Sequence, residues 1–357
     1  MDERDATLED SAVLDVPPVG GKQKFRVAAL YGSDFPEHAD AFENKKRELT
    51  GIADFPRIIG DAGIAIDTMF ITPSYFRRGF RWQPQNYQLI CNAITDPDQH
   101  VKTLGIVQKL EKSCAIRFLN PPRHLQAVTR DNVARIAATI PGIRSPKTLR
   151  LQRLTPVGIE KLVKAEDFRW PGIVRPLGTH NGLLMRLVSN LDEALAVIGG
   201  KIDHYLTEFA DYRSDDGVYR KWRLYVIGGQ ILARSLVIGE EWNLHARSRA
   251  HVPPHIDLAR EERAFFDTFD EDRSPGISAI VRALKSKLKL DFFGIDCALT
   301  SPESLVLFEA NPTMNFGGRR TDPTRPYKDT RLPRAVNAAR ALVMSVCPEH
   351  FTATAKH

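Results

Sequence analysis

From Phe25 to Tyr31 the chain reads FRVAALY, apolar except for Arg26, and then turns at Gly32-Ser33-Asp34. A short apolar run closed by a turn predicts a buried strand. Ile64–Ile71 predicts a second strand, and another apolar run lies near Cys114–Leu119. Separated by helix-length or loop segments, they predict a small α/β layer domain that ends at Asn120-Pro121-Pro122. A helix starts at Thr129-Arg130-Asp131 and runs through Ile140, where Pro141-Gly142 stops it. Short strands follow at Thr148–Leu151 and Ile173–Pro176, then an amphipathic helix at Leu191–Ile198. Strands are expected at Tyr205–Ala210 and Trp222–Ile227, the second turning at Gly228-Gly229 into Gln230–Ile238. Ile280, Val281, Leu284 and Leu288 give Ser278–Leu290 a helical apolar stripe. Phe292–Leu299 and Leu305–Asn311 read as strands, and Pro333–Cys347 as a closing helix. No internal repeat or low-complexity tract interrupts this order.

Composition narrows the class. At 357 residues, 43% hydrophobic and 26% charged, the chain is that of an ordinary globular protein of two or three domains. Its net charge of +6 is too small to mark a nucleic-acid binder or a polybasic membrane protein. Residues 1–20 hold six acids and one base, so the rest of the chain carries about +11. That acidic start, ending in Val16-Pro17-Pro18-Val19-Gly20-Gly21, reads as a disordered lead-in over 1–23 and not as a secretory signal. No segment approaches the ~18 apolar residues of a membrane helix. Cys91, Cys114, Cys297 and Cys347 are scattered without zinc-type spacing, which predicts buried, reduced thiols in a cytoplasmic protein.

Candidate chemistry concentrates in Gly294–Asn311, GIDCALTSPESLVLFEAN. Ser301-Pro302-Glu303-Ser304 is a turn between two β-rich runs. A hairpin centred there pairs Leu299 with Val306, Cys297 with Phe308 and Ile295 with Ala310, an entirely apolar face. The other face sets Asp296 opposite Glu309, and Gly294 opposite Asn311. Opposed carboxylates repel unless a cation or proton intervenes. Asp, Glu and Asn oxygens on one face suit a hard ion such as Mg²⁺, and spacing alone leaves a solvated polar face equally open.

GID…LVLFEANPTMN resembles the segment that closes the catalytic domain of ATP-grasp enzymes. The resemblance implies an α/β (α+β) ATP-grasp fold, in which two α+β lobes sandwich ATP behind a small N-terminal α/β domain. It assigns the Mg²⁺ ligands, with Mn²⁺ as a substitute, to Asp296, Glu309 and Asn311. Ile173–Gly182 resembles the strand and small-residue loop over the phosphates. Arg175 stands where the family usually has Lys, and Gly178, Thr179 and His180 lie in the loop. Without the family, Gly178-x-x-x-Gly182 offers backbone donors to an anion, or is an ordinary turn. At Asn132 many relatives carry a phosphate-binding Lys. Nearby Arg130 is the substitute, although it reads first as a surface charge at a helix start.

Tyr205–Ala210 resembles the hinge strand, which implies that Glu208, Phe209 and Ala210 meet adenine and Asp211 the ribose. Tyr219–Gly229 resembles the strand pair that follows. Lys221 and Arg223 alternate on one face of it, Trp222 and Leu224 on the other. On an inner face those two cations suit a triphosphate or acyl-phosphate; on an outer face they are only solvated. Trp242-Asn243-Leu244-His245 resembles an acceptor-site step of glutamate-adding ligases, with Asn243 at the substrate and His245 as a base or orienting group, unless that histidine is structural. Arg319 and Arg320, just past the triad, are candidates for a substrate carboxylate. Arg77-Arg78-Gly79-Phe80-Arg81-Trp82 mixes cations with aromatics and reads as a surface loop.

The resemblance implies a lead-in over 1–23, an N-terminal domain over 24–122, a small lobe or lid over 123–205 and a large lobe over 206–357. It also implies an ATP-dependent carboxylate–amine ligase of the ribosomal-protein glutamate ligase and glutathione synthetase type. The substrates are small-molecule or peptide acids and amines, with no nucleic acid or membrane partner and a homodimer as the default assembly. A small-molecule kinase on the same fold and a non-catalytic nucleotide-binding protein stay open.

Overall fold

The computed structural model describes residues 25–35, 51–74, 82–179, 182, 184–199, 202–245, 252–269, 275–313, 315 and 326–351. The expected lead-in over 1–23, most of the Arg77–Trp82 stretch, and His180, Arg319 and Arg320 lie outside the described residues. The first part of the chain forms β1 (Arg26–Gly32), α1 (Phe55–Asp61), β2 (Ala65–Ile71), β3 (Leu89–Asn92), α2 (Val101–Lys112), β4 (Phe118–Leu119) and α3 (Pro122–Leu125). The middle forms α4 (Arg130–Ala137), β5 (Ile143–Arg144), β6 (Thr148–Leu151), α5 (Pro156–Ala165), β7 (Gly172–Pro176), β8 (Arg186–Val188), α6 (Leu191–Ile198) and β9 (His204–Glu208). The last part forms β10 (Tyr219–Ile227), β11 (Gln230–Gly239), α7 (Leu258–Thr268), α8 (Pro275–Leu288), β12 (Phe292–Ser301), β13 (Ser304–Asn311) and α9 (Arg331–Val346). Among the described residues, no helix is long and apolar enough to cross a membrane.

The first sheet is parallel, in the order β2-β1-β3-β4. β3 is its central missed element. Leu89-Ile90-Cys91-Asn92 is buried on both faces and only four residues long, so it shows no alternation to read. The N-terminus of α2 is capped from a distance. Asp34 accepts hydrogen bonds from the backbone N–H of Lys102 (2.9 Å) and Thr103 (2.7 Å) and from the Thr103 hydroxyl (2.6 Å).

The second sheet is antiparallel, in the order β6-β9-β7-β8. Leu149, Leu151, Val174 and Leu206 face α5 and α6, where they pack with Ile159, Val163 and Ala194. Alternation therefore turns Arg150, Tyr205 and Arg175 to the opposite face, in one row across β6, β9 and β7. The third sheet runs β11-β10-β12-β13-β5, with β5 parallel to β13 and the other pairs antiparallel. The stretch expected at the start of the small lobe thus divides: β5 joins the third sheet, with α4 lying against β13, and the second sheet runs from Thr148 to Glu208.

The β12–β13 hairpin corrects the expected register in its lower half. Gly294–Asn311, Ile295–Ala310 and Asp296–Glu309 pair as the turn predicts, but Cys297 pairs with Leu307, Ala298 with Val306 and Leu299 with Leu305. A β-bulge takes up Phe308 as the extra residue. Below it, Leu305 and Leu307 enter the core with Cys297, while Val306 and Phe308 share the opposite side with Ala298, Ala210 and Tyr212. The face expected to be entirely apolar therefore loses Val306 and Phe308 to the side that carries Ala298.

One hydrophobic core joins the first sheet to the third, with Phe55 of α1 stacked on Phe292 of β12 at 3.9 Å. Asn120, expected as a domain boundary, is a buried clasp between them. Its amide accepts from the backbone N–H of Asp291 (2.7 Å) and Phe292 (3.2 Å) and donates to the Phe292 carbonyl (2.8 Å). Its own N–H donates to the Asp291 carboxylate at 2.7 Å. Asn120→Ala strands these buried groups and is expected to cost about 2–4 kcal/mol in urea unfolding. A change below about 1 kcal/mol would show that the clasp carries little of the junction.

Candidate functional site

A cleft of about 580 Å³ opens between the second and third sheets and reaches the loop after β3. Its size fits a nucleotide-sized ligand. The floor is the non-core face of the third sheet, where Asp296 of β12 stands opposite Glu309 of β13, and Asn311 opposite Gly294. On the neighbouring strand Arg223 pairs with Asp296 in the ladder, so the alternation of β10 carries Lys221 and Arg223 to the same face. The inner-face alternative for these two cations is the one observed.

The contacts are close. Arg223 grips Asp296 with both forks, Nε to Oδ1 at 2.5 Å and Nη2 to Oδ2 at 2.7 Å. Lys221 Nζ lies 3.8 Å from Asp296 Oδ2 and donates to the Leu244 carbonyl. Arg130 Nη2 donates to Glu309 Oε1 at 2.8 Å and lines the cleft, so it faces inward and is not a solvated charge at a helix start. Asn132 is half-buried and its amide donates to the Ala127 carbonyl, outside the cleft lining. Asn311 Oδ1 accepts the Thr313 N–H at 2.7 Å, which fixes the amide's orientation.

Arg175, 8% exposed, projects from the second sheet across the cleft. It donates to the Thr179 carbonyl, and its Nε is buried without a hydrogen-bond partner among the described residues. Gly178, in left-handed backbone (φ +67°), forms the turn after β7 with Thr179. Glu208 takes the Arg169 N–H on its carboxylate (2.9 Å), and Phe209 donates its N–H to the Pro171 carbonyl (2.9 Å). Glu208, Phe209 and Ala210 line the cleft, but Asp211 is exposed, outside the lining, and caps its own turn by accepting the Arg213 N–H at 3.0 Å. Phe209 meets Trp242 edge-on at 5.9 Å, and Tyr212 lies 4.5 Å from Phe308. These four rings wall the same end of the cleft. Asn243 Nδ2 donates to the Gly182 carbonyl at 3.3 Å, and His245 lines the cleft beside it.

The structure thus brings together Asp296, Glu309, Asn311, Arg130, Arg175, Lys221 and Arg223, and it leaves Asp211 apart. Sequence reading missed Asp96, Asp98, Tyr212, Arg234 and Thr313, all lining the cleft. Asp96 and Asp98 come from a loop more than a hundred residues before the nearest recognised strand pair, with no spacing to connect them. Arg234 is the extra residue of a second bulge, where Arg223 faces Ser235 but Leu224 faces Ala233. Strand alternation across that bulge would have misplaced it.

Electrostatics follow from this crowding. Burial alone would push the Asp296 carboxyl up, but Arg223 and Lys221 hold it down at about 2. Burial lowers the Arg175 guanidinium, and the charge of Arg130 lowers it further, to about 9. Lys221 is also lowered by burial, with Asp296 opposing the shift. Burial works against the Arg130 guanidinium, yet Glu309 outweighs it and raises the group. Among the described residues, no three or more His, Cys, Asp or Glu side chains gather as a metal cluster. The candidate cation site is therefore two carboxylates and an amide, a hard-oxygen set whose carboxylate oxygens keep further lone pairs beyond their arginine contacts. Those donors fit a divalent ion such as Mg²⁺.

Because the folded Asp296 pKa lies below the ordinary ~3.9, its pairing stabilises the protein above pH ~4 and is lost as pH falls toward 2. Urea unfolding of the wild type is expected to lose on the order of 2 kcal/mol more than Asp296→Asn over that window. Equal slopes for the two proteins would contradict the charge pairing.

No family model matches the sequence, and no curated protein matches it. Solved structures do. A D-alanine–D-alanine ligase from Bacillus anthracis superposes with a TM-score of 0.50 at 12% identity, covering 91% of this chain and 99% of that one. A VanG D-Ala:D-Ser ligase from Enterococcus faecalis gives 0.49 at 13% identity, covering 89% and 100%. A RimK domain ATP-grasp protein from Sphaerobacter thermophilus gives 0.48 at 15% identity, covering 90% and 99%. At such identities the likeness is one of fold.

Proposed function

Taking the ATP-grasp fold of this chain as the premise, we propose that it is an ATP- and Mg²⁺-dependent ligase joining a carboxylate to an amine, with release of ADP and phosphate. One observation carries the reading: four cationic side chains, Arg130, Arg175, Lys221 and Arg223, surround the opposed Asp296–Glu309 pair in a nucleotide-sized cleft. Phosphoryl transfer asks for that arrangement, because its transition state spreads negative charge over oxygens that fixed cations must meet.

In this reading Glu208, Phe209 and Ala210 bind adenine among Phe209, Tyr212, Trp242 and Phe308, and the Gly178–Thr179 turn lies over the phosphates. Asp296, Glu309 and Asn311 would hold Mg²⁺, which when bound neutralises and orients phosphate oxygens. Arg175 and Arg130 hold the transferring phosphoryl group from above and below. Lys221 and Arg223 meet charge developing on the acid as its carboxylate attacks the γ-phosphorus and ADP leaves. The resulting acyl-phosphate is open to an amine, whose attack forms the amide and expels phosphate. Asn243 and His245 border the acceptor, and the second sheet excludes the water that would hydrolyse the acyl-phosphate. The division into an N-terminal domain (24–122), a small lobe (123–205) and a large lobe (206–357) belongs to the same proposal. The three sheets support it, with β5 as the strand that crosses from one lobe's sequence into the other's sheet.

Incubation of the protein with γ-labelled ATP, Mg²⁺, hydroxylamine and pooled amino acids, peptides and small carboxylates tests it. Free phosphate with hydroxamates is expected. Label on a stable product would instead identify a kinase, and binding without turnover in any pool would point to a nucleotide-binding protein. Asp296→Asn and Glu309→Gln are each expected to lower turnover at least 100-fold with the circular-dichroism spectrum unchanged. Near-normal turnover in both variants would overturn the metal assignment.

A further inference from the structure

The loop after β3 touches both sides of the cleft within five residues. Thr95 Oγ1 donates to Thr313 Oγ1 at 2.9 Å, next to the strand that carries Glu309 and Asn311. Asp96 Oδ1 accepts the N–H groups of Asp98 (2.8 Å) and Gln99 (3.1 Å), which sets the turn that aims those two side chains. Gln99 Nε2 donates to the Gly178 carbonyl in the turn after β7. Asp98, with a side chain only 9% exposed, accepts the Tyr205 phenol on Oδ2 at 2.7 Å and lies 2.7 Å from Arg150 Nη1 on Oδ1.

Tyr205 is the centre of the row across the second sheet. It is fully buried, with Arg150 as its ladder partner on one side and Arg175 on the other. Two guanidiniums thus flank one phenol on one face, and the Asp98 carboxylate separates their tasks. Arg150 also donates to the Tyr205 oxygen at 2.9 Å and is neutralised by Asp98. Arg175 is left to face the cleft with Arg130. Burial and the Asp98 charge push the Tyr205 phenol far up, so it stays protonated and donates to Asp98. Asp98 itself belongs to the part of the chain that is anchored to the third sheet through Asn120, the Phe55–Phe292 stack and Thr95–Thr313. Asp98 thus ties the second sheet to the part of the chain that packs on the third, across the cleft.

We propose that Asp98 is a positioning residue which latches the second sheet over the cleft through Tyr205 and Arg150 and thereby holds Arg175 on the phosphates of a bound nucleotide. The inference rests on the nucleotide-binding reading above and adds to it a cleft residue that governs nucleotide release through the second sheet. Losing a buried hydrogen bond to a charged group is expected to speed that release about tenfold, with association changed less than twofold.

Stopped-flow displacement of a fluorescent ATP analogue, with Mg²⁺, from the full chain tests the latch. Tyr205→Phe keeps the ring and removes only the hydroxyl, so it is safe for folding; Asp98→Ala removes the acceptor. Both are expected to raise the dissociation rate about tenfold, and the double variant less than the product of the two, since both break the Tyr205–Asp98 bond. Asp98→Asn, whose amide oxygen still accepts the phenol O–H, is expected to restore most of the slow release. A merely structural contact would lower the melting temperature without moving the dissociation rate. A Tyr205→Phe rate within twofold of wild type, with the analogue bound normally, overturns the latch alone. A wild-type protein that does not bind the analogue overturns the nucleotide reading and the latch with it.

Discussion

Two carboxylates, Asp296 and Glu309, face each other across one rung of an antiparallel ladder, and the rest of the cleft is arranged around that repulsion. At a spacing of about 5 Å between ladder partners, unscreened like charges destabilise the strands that carry them. The chain answers with Arg223 and Lys221 from one face of β10 and Arg130 from α4. Arg223 keeps half of its side-chain surface open to the cleft, so its grip on Asp296 is a contact a ligand can reorganise. Arg130 and Glu309 are likewise only partly covered. Asp296 itself is buried, and its half-exposed partner Arg223 carries the contact to the edge of the cleft.

The second sheet contributes the opposite wall, and its chemistry follows from simple alternation. Leu149, Leu151, Val174 and Leu206 are committed to the helices behind, so Arg150, Tyr205 and Arg175 share the opposite face, and Arg175 lines the cleft. Arg175 sets what that wall can do. Its planar fork reaches both the turn after β7 and the cleft, and it is less readily hydrated than an ammonium, which suits a position that is 8% exposed. Close approach of Arg130 makes the two guanidiniums a pair that favours an anion between them.

Much of this arrangement was legible in the sequence. The Ser301–Ser304 turn with alternating residues on both sides puts Asp296 opposite Glu309 and Gly294 opposite Asn311, and that pairing holds because two one-residue shifts, at Thr300 on β12 and at Phe308 on β13, cancel. The same alternation placed Lys221 and Arg223 together on one face, while their inward orientation needed the fold. Tertiary structure decided the rest. The bulge at Phe308 turned that ring and Val306 to the side of Ala210 and Tyr212, since one inserted residue reverses the positions up to the compensating shift at Thr300. Arg130 became a partner of Glu309 only because α4 lies against β13. β3 was too short and too uniformly buried to announce itself, and the loop that follows it, with Asp98 reaching Tyr205 across 107 positions of sequence, has no local signature at all. Local geometry is set by residues a few positions apart and can be read from their order. Contacts between distant segments depend on how whole sheets pack, and that appears only when the chain is folded.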